Sequence, residues 1–264
     1  MPDDFWHDLA PEPGETRRDP REAARGAMTP ELPKRFYTCA TAEPHPHGGF
    51  VLALDGRPAK TPGKRPLAAP TRAAGDALAA EWEGQGERID PGTMPLTRIL
   101  NSALDGVATA MEPVAAEIVK YAGSDLLCYR AGDPEALVAA QNAAWDPVLA
   151  STRERLGARF LLAEGVMYVE QPRETLEAIA ARVSRETEPV ALAALSVMTT
   201  ITGSALIALA VADGALTADD AWHAAHVDEL HQERVWGADA IALERRAGRR
   251  REFDAAVLLY GEAG

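Results

Sequence analysis

Cysteine is nearly absent: Cys39 and Cys128 are the only two in 264 residues, and they lie far apart. Such a pair gives neither a disulfide framework nor the paired spacing of a zinc site. Both are expected to be small, buried or half-buried residues in a reducing cytoplasm. Positive charge is also scarce. Lys and Arg total 27 against 40 Asp and Glu, a formal net charge of −13. A chain of that sign repels nucleic acid and anionic membrane unless it concentrates a basic face. The one dense basic run is Arg245, Arg246, Arg249, Arg250 and Arg251. It reads as a solvated helix end, where cations suit the C-terminal dipole, with contact to an acidic partner as the alternative. No glycine-rich phosphate loop, nucleophile elbow or Cys–His motif occurs, so the usual marks of an enzyme are missing. There is no HExxH, and His226 and His231 are five apart, which turns their rings to different helix faces. Neither a metal nor a cofactor is expected. The opening MPDDFWHDLAPEPGE has no cationic start, apolar signal core or Arg-rich presequence, and the expected location is cytoplasmic.

Charge is missing altogether between Pro189 and Asp213 in PVALAALSVMTTITGSALIALAVAD. As one unbroken helix this stretch could cross a bilayer. However, it is diluted by alanine, by Ser196, Thr199, Thr200, Thr202, Gly203 and Ser204, and it is flanked by Glu186, Glu188, Asp219 and Asp220. It has no aromatic belt and no basic flank. It therefore reads as a single buried helix ending at Gly214, around which the helices after about residue 95 pack, with no stable membrane insertion.

The apolar share, 47%, suffices for a real core. The predicted class is α+β, in three parts. Residues 1–30, Pro-rich and of mixed charge, read as a loosely packed tail in which Phe5 and Trp6 make local contacts. Residues 31–92 read as a small β-rich domain. It holds a strand in KRFYTCAT, another at Phe50–Leu54, a hairpin turn at Asp55-Gly56, and a return strand from Arg57 that Pro58 and Pro62 push to a sheet edge. A helix opened by Thr71 places Leu78 and Trp82 on one face, against that sheet. Residues 93–264 read as a helical domain. Pro95 starts one helix and Gly106 ends it. Asp133 caps another, with Pro134 in its first turn, and Pro147 should kink it just after Trp145-Asp146. Arg159–Gln171 reads as loop and strand, and Pro172 starts a further helix.

The last stretch, TADDAWHAAHVDELHQERVWGADAIALERRAG, is predicted as one long helix capped by Thr217. At 100° per residue, Trp222, His226, Glu229, Glu233, Trp236 and Ala240 share a narrow face. Val227, Leu230, Ala238 and Ile241 form a second face, expected in the core. Gly237 within a helix costs about 1 kcal/mol relative to alanine, as a closely approaching neighbour would explain. Indoles alternating with carboxylates fit a recognition surface: tryptophan offers area at low entropy cost, and carboxylates select a basic partner. The plain alternative is that Glu229 and Glu233 are solvated and the tryptophans sit at the core margin. Three other readings stay open: acid–base chemistry by Glu229, Glu233 and His226, a membrane-associated role for residues 190–212, and a partner strand added at the Arg57–Pro62 edge.

The strings KRFY, GGFVLALDGRPAKTP, AAEWEGQ, MPLTRILNSALD, LLCYRA, QNAAWDPVL and DELHQERVWG occur in that order. Together they resemble the ATP synthase F1 assembly chaperones of the type that holds the free alpha subunit, from about Lys34 to about Arg246. The first 30 residues and Arg159–Gln171 match poorly. The resemblance implies a non-enzymatic role in a bacterial relative: capture of the new F1-ATPase alpha subunit, and release to beta. It also implies a small β-rich N-terminal domain and a larger helical one. An acidic residue of the DELHQERVWG motif matters in that family; it falls on Glu229 or on neighbouring Asp228, and helix periodicity favours Glu229. Asp228, Glu229, Glu233, Trp222 and Trp236 are thus the expected partner-binding residues. Trp82, Gly56, Trp145 and Asp146 are expected to be structural, and the protein is expected to be a monomer.

Overall fold

The structure is a computed structural model and describes residues 32–165 and 167–261. The predicted tail, with Phe5 and Trp6, lies outside the described residues.

Strands β1 (Ala40–Pro44), β2 (Phe50–Leu54), β3 (Arg57–Pro58) and β4 (Ala68–Ala69) form an antiparallel sheet in which β2 pairs with the other three. Asp55 and Gly56 form the β2–β3 turn with φ of 49° and 73°, the left-handed pair that a tight hairpin demands. The first strand begins at Ala40 rather than in KRFY. Arg35 ties the preceding segment to the end of a helix instead, donating to the carbonyls of Tyr37, Glu83 and Gln85. That helix, α1 (Arg72–Glu83), is capped by Thr71, whose side chain accepts from Ala74 N–H. It packs on β1 and β2. Trp82 lies against Tyr37, with ring centroids 5.5 Å apart, and its indole donates to Thr97 Oγ1 at 2.8 Å, which joins the sheet layer to the helices. The edge proposed for strand addition is already in use. Leu67 N–H donates to the Ala59 carbonyl and Thr61 N–H to the Arg65 carbonyl, so the chain folds back on that edge as its own hairpin.

Helices α2 (Pro95–Asp105), α3 (Met111–Gly123), α4 (Glu135–Leu156) and α5 (Arg173–Val183) follow, with β5 (Tyr129–Arg130) and β6 (Ala163–Glu164) as a short parallel pair. Helix α4 starts one residue later than expected, with Pro134 rather than Asp133 at its cap, and continues through Pro147 to Leu156. On it, Trp145 is fully buried, donates to the Ala224 carbonyl at 2.7 Å and stacks under Arg130. Arg130 in turn pairs with Asp146 at 2.8 Å.

The uncharged stretch is buried, but as two helices. These are α6 (Pro189–Thr202) and α7 (Ala205–Ala212), and among the described residues no helix is long and apolar enough to cross a membrane. Three threonines, at 199, 200 and 202, donate back to carbonyls four residues earlier, which weakens a helix. Gly203 then turns left-handed at φ 68°. Such a break leaves orphan N–H groups in the core. Ser204 and fully buried Asp125 satisfy them. Ser204 Oγ accepts from Ile207 N–H, while Asp125 accepts from Leu206 N–H and Ser204 Oγ. Helix α6 contacts α2, α3, α7 and the C-terminal helix, burying Leu192, Leu195 and Met198 completely; each such side chain contributes roughly 1.5–3 kcal/mol.

The last stretch also divides. It forms α8 (Ala218–Ala225), α9 (Val227–Trp236) and α10 (Ala240–Gly261). Thr217 caps α8 as expected, accepting from Asp220 N–H. Of the two cysteines, Cys128 is buried but Cys39 is exposed.

Candidate functional site

Two local events shape the region from α8 to α10. At its first break, His226 Nδ1 donates to the Trp222 carbonyl at 2.8 Å. That carbonyl would otherwise accept the His226 N–H of a continuing helix; this N–H instead reaches back three residues, to His223. The side chain has outcompeted the backbone. At the second break, Gly237 takes φ 87° and ψ 163°, a conformation open essentially to glycine alone. A Cβ there would meet nothing within 4 Å. Backbone conformation, rather than a close neighbour, is therefore the reason for glycine.

The two breaks dismantle the single predicted face. Trp222 turns inward, its ring 3.9 Å from His226 and 5.7 Å from Phe253. Trp236 is 82% exposed, on the far end of α9. Val227 is buried as expected, but Ala238 and Ile241, expected in the core, are exposed. The basic run lies in the N-terminal half of α10, not at a helix C-terminus. Its Arg249 does serve a C-terminal dipole, but that of α6, donating to the Ile201 carbonyl.

Helix α9 and the first turns of α10 form an arm around an open cleft of about 620 Å³. One wall carries Asp228, Glu229, Glu233 and Trp236, the other Arg245, Arg246 and Arg249. Apolar side chains continue outside it, since Val235, Ile241 and Leu243 are all exposed. Arg246 crosses between the walls, 2.7 Å from Glu233 and 4.0 Å from Glu229. Glu229 is about half exposed, at 55%, and lies 3.9 Å from His226 Nε2. Asp228 instead anchors the arm: its carboxylate accepts from buried Gln141 on α4 at 2.7 Å, and Gln141 accepts from Ala131 N–H. His226 is buried at the root of the arm. Burial foremost pushes its pKa down, assisted by Arg249 and Arg246, against the opposing Trp222 hydrogen bond and Glu229. Its Nδ1–H tautomer follows from the carbonyl it faces.

The structure thus brings Asp228, Glu229, Glu233 and Trp236 to one cleft and leaves Trp222 out of it. None of Trp82, Gly56, Trp145 and Asp146 lines the cleft. The arginine wall was missed. The spacing of Arg245, Arg246 and Arg249 puts them near one helix face, but only the turn at Gly237 sets that face opposite the acids. No cluster of ligating side chains able to hold a metal occurs among the described residues.

Chemically the arm offers an exposed indole, an apolar rim and carboxylates already matched to arginines, on a scaffold fastened by buried hydrogen bonds. The family model of the ATP12 chaperone protein matches residues 34–153. The Atu1473 protein of Agrobacterium tumefaciens, described as a candidate chaperone, is 48% identical over 94% of this chain and 93% of that one, with a TM-score of 0.82. The chain belongs to the ATP12 chaperone family. Atp12 from Paracoccus denitrificans is 38% identical, covering 88% of this chain and 99% of that one at a TM-score of 0.77. An aspartate-to-lysine mutant of P. denitrificans Atp12p gives the same TM-score at 37% identity, over 88% and 98% of the two chains. The small strand region followed by a larger helical part is therefore the family's architecture in this chain, and the family's name is that of a chaperone.

Proposed function

We propose that this protein is an ATP synthase assembly chaperone that holds the free alpha subunit of F1 through the α9–α10 arm and yields it to beta. The observation that carries this reading is the pairing of a solvent-facing Trp236 with Glu229 and Glu233 in one cleft, in a chain of the ATP12 chaperone family. An unpaired subunit of an obligate complex exposes a large apolar interface that aggregates unless covered. An aromatic anchor with flanking carboxylates suits transient cover, because tryptophan supplies contact area and charge supplies selection for a basic surface. In this reading residues 31–92 form a bracing domain and residues 93–264 the domain that carries the arm. The protein acts as a cytoplasmic monomer, without cofactor or catalysis.

The test combines a pull-down from the native cytoplasm with light scattering of isolated alpha and beta subunits. Selective capture of alpha and suppression of its aggregation without ATP are expected. Glu229→Lys should abolish both, and Glu229→Gln should weaken them, with the fold intact by circular dichroism. If a well-folded preparation ignores alpha, the partner assignment is wrong; if both Glu229 variants behave as wild type, the site assignment is wrong.

A further inference from the structure

The cleft is already occupied from within. Arg246 Nη2 lies 2.7 Å from Glu233, and Nη1 is 4.0 Å from Glu229, so the acids expected to meet a partner face one of the chain's own cations. That occupancy is imperfect. Arg246 Nη1 is buried and has no hydrogen-bond partner, and an unpaired buried donor is costly. Two other arginines of the run are committed elsewhere: Arg249 to the Ile201 carbonyl, Arg250 to Asp219 and Asp254. Arg246 alone of the three bridges the two walls of the arm. The bridge spans a hairpin whose turn is a single positive-φ glycine, Gly237, and whose residues are mostly exposed.

We propose that Arg246 is a built-in stand-in for the partner's cation: the free cleft is latched by its own arginine, and a client opens it by exchanging one cation for another. The inference rests on the arm being the client site, and it specifies the client's chemistry. The bound segment presents a Lys or Arg to Glu229 and Glu233 and an apolar side chain to Trp236. It also supplies an acceptor, a carbonyl or a carboxylate, to the displaced guanidinium. The exchange conserves charge in the cleft, so a bare apolar surface would leave Arg246 latched. The latch thus separates a basic amphipathic segment from any other exposed apolar surface.

The test is a substitution that removes a cation and tightens binding. Arg246→Met keeps an unbranched stem and deletes the charge. Full-length wild type and Arg246→Met are titrated with isolated alpha subunit and, separately, with the peptide Ac-Leu-Lys-Arg-Leu-amide by calorimetry. The expected result is binding tighter by about five- to tenfold in the variant, the size of one part-buried ion pair no longer competing. Arg246→Lys should stay near wild type. Weaker or unchanged binding of both ligands by folded Arg246→Met would overturn the latch and make Arg246 a simple clamp. Tighter peptide binding without any capture of alpha would preserve the latch and refute the alpha-subunit assignment. If Arg246→Met does not fold, Arg246→Gln, which keeps a donor for Glu233 without the charge, carries the same expectation and the same refutation.

Discussion

Two buried titratable residues sit at helix breaks, and their pKa values move in opposite senses relative to stability. Burial pushes Asp125 up to about 6 from an ordinary 3.8, against the hydrogen bonds from Ser204 and the Leu127 and Leu206 amides. Folding therefore favours its protonated form. Its contribution is fully present below about pH 4 and is lost as pH rises through about 6, roughly 3 kcal/mol in all. His226 runs the other way. Its pKa is lowered from 6.5, so its stabilising contribution is present above that value and is lost as pH falls. In wild type the two dependences oppose each other in the weakly acidic range. Thermal melts from about pH 4 to 8 should separate them: His226→Asn should leave stability that declines from pH 4 to 6, and Asp125→Asn should leave stability that declines on acidification. Parallel pH profiles for the two variants would refute the assignment. Cys128, whose thiol burial pushes up to about 12, stays inert over this range, and exposed Cys39 is the thiol that reagents will find.

At the scale of elements, two glycines look alike in sequence and act differently. Gly203 breaks the buried α6–α7 rod, and Gly237 turns the exposed arm; both have positive φ, and both leave room for a Cβ. The cost of alanine is thus backbone strain alone, of order 1 kcal/mol at Gly203 and more at Gly237, whose extended positive-φ conformation is harder for alanine. Strain inside the core is paid by the whole fold. Strain on an arm with few buried neighbours can relax by moving the arm. Gly203→Ala should accordingly lower the melting temperature by a few degrees and leave client capture unchanged at low temperature. Gly237→Ala should leave the melting temperature within a degree or two and weaken capture. Differential scanning calorimetry alongside the aggregation assay checks both, and an inverted pattern would mean that the arm is part of the folding core.

At the scale of the whole molecule, the net charge of −13 surrounds an arm whose cleft is internally neutralised. Under the proposed function, long-range attraction for a basic client would come from the whole surface, and short-range selection from the cleft. Association rates should fall steeply with salt between about 0.05 and 0.5 M, as the screening length shrinks, while dissociation rates change little. Stopped-flow capture of labelled alpha subunit would measure both. A salt-insensitive association rate would place recognition in apolar contact alone.

Much was legible without coordinates wherever the cause was local. The Asp55-Gly56 hairpin, the Thr71 and Thr217 caps, the Pro95 and Gly106 ends of a helix, and the burial of the uncharged stretch all follow from neighbouring residues whose preferences agree. Motif order likewise carried the family. What failed were the two long helices, and each failed through a contact made by side chain or backbone geometry that helical periodicity does not encode. His226 returns a bond to the Trp222 carbonyl, Gly237 adopts a φ that no helix contains, and the Gly203 break is tolerable only because Asp125, 79 residues earlier than Ser204, reaches its orphan amides. The face periodicity drew through Trp222, His226, Glu229, Glu233 and Trp236 was therefore lost, and the arginine wall opposite the acids was unseen. The sequence by itself determined composition, charge and family, and those helix ends that are set by residues close along the chain. Only the tertiary structure decided that Glu229, Glu233 and Trp236 share a cleft with Arg246, because that depends on where a turn directs one helix against another.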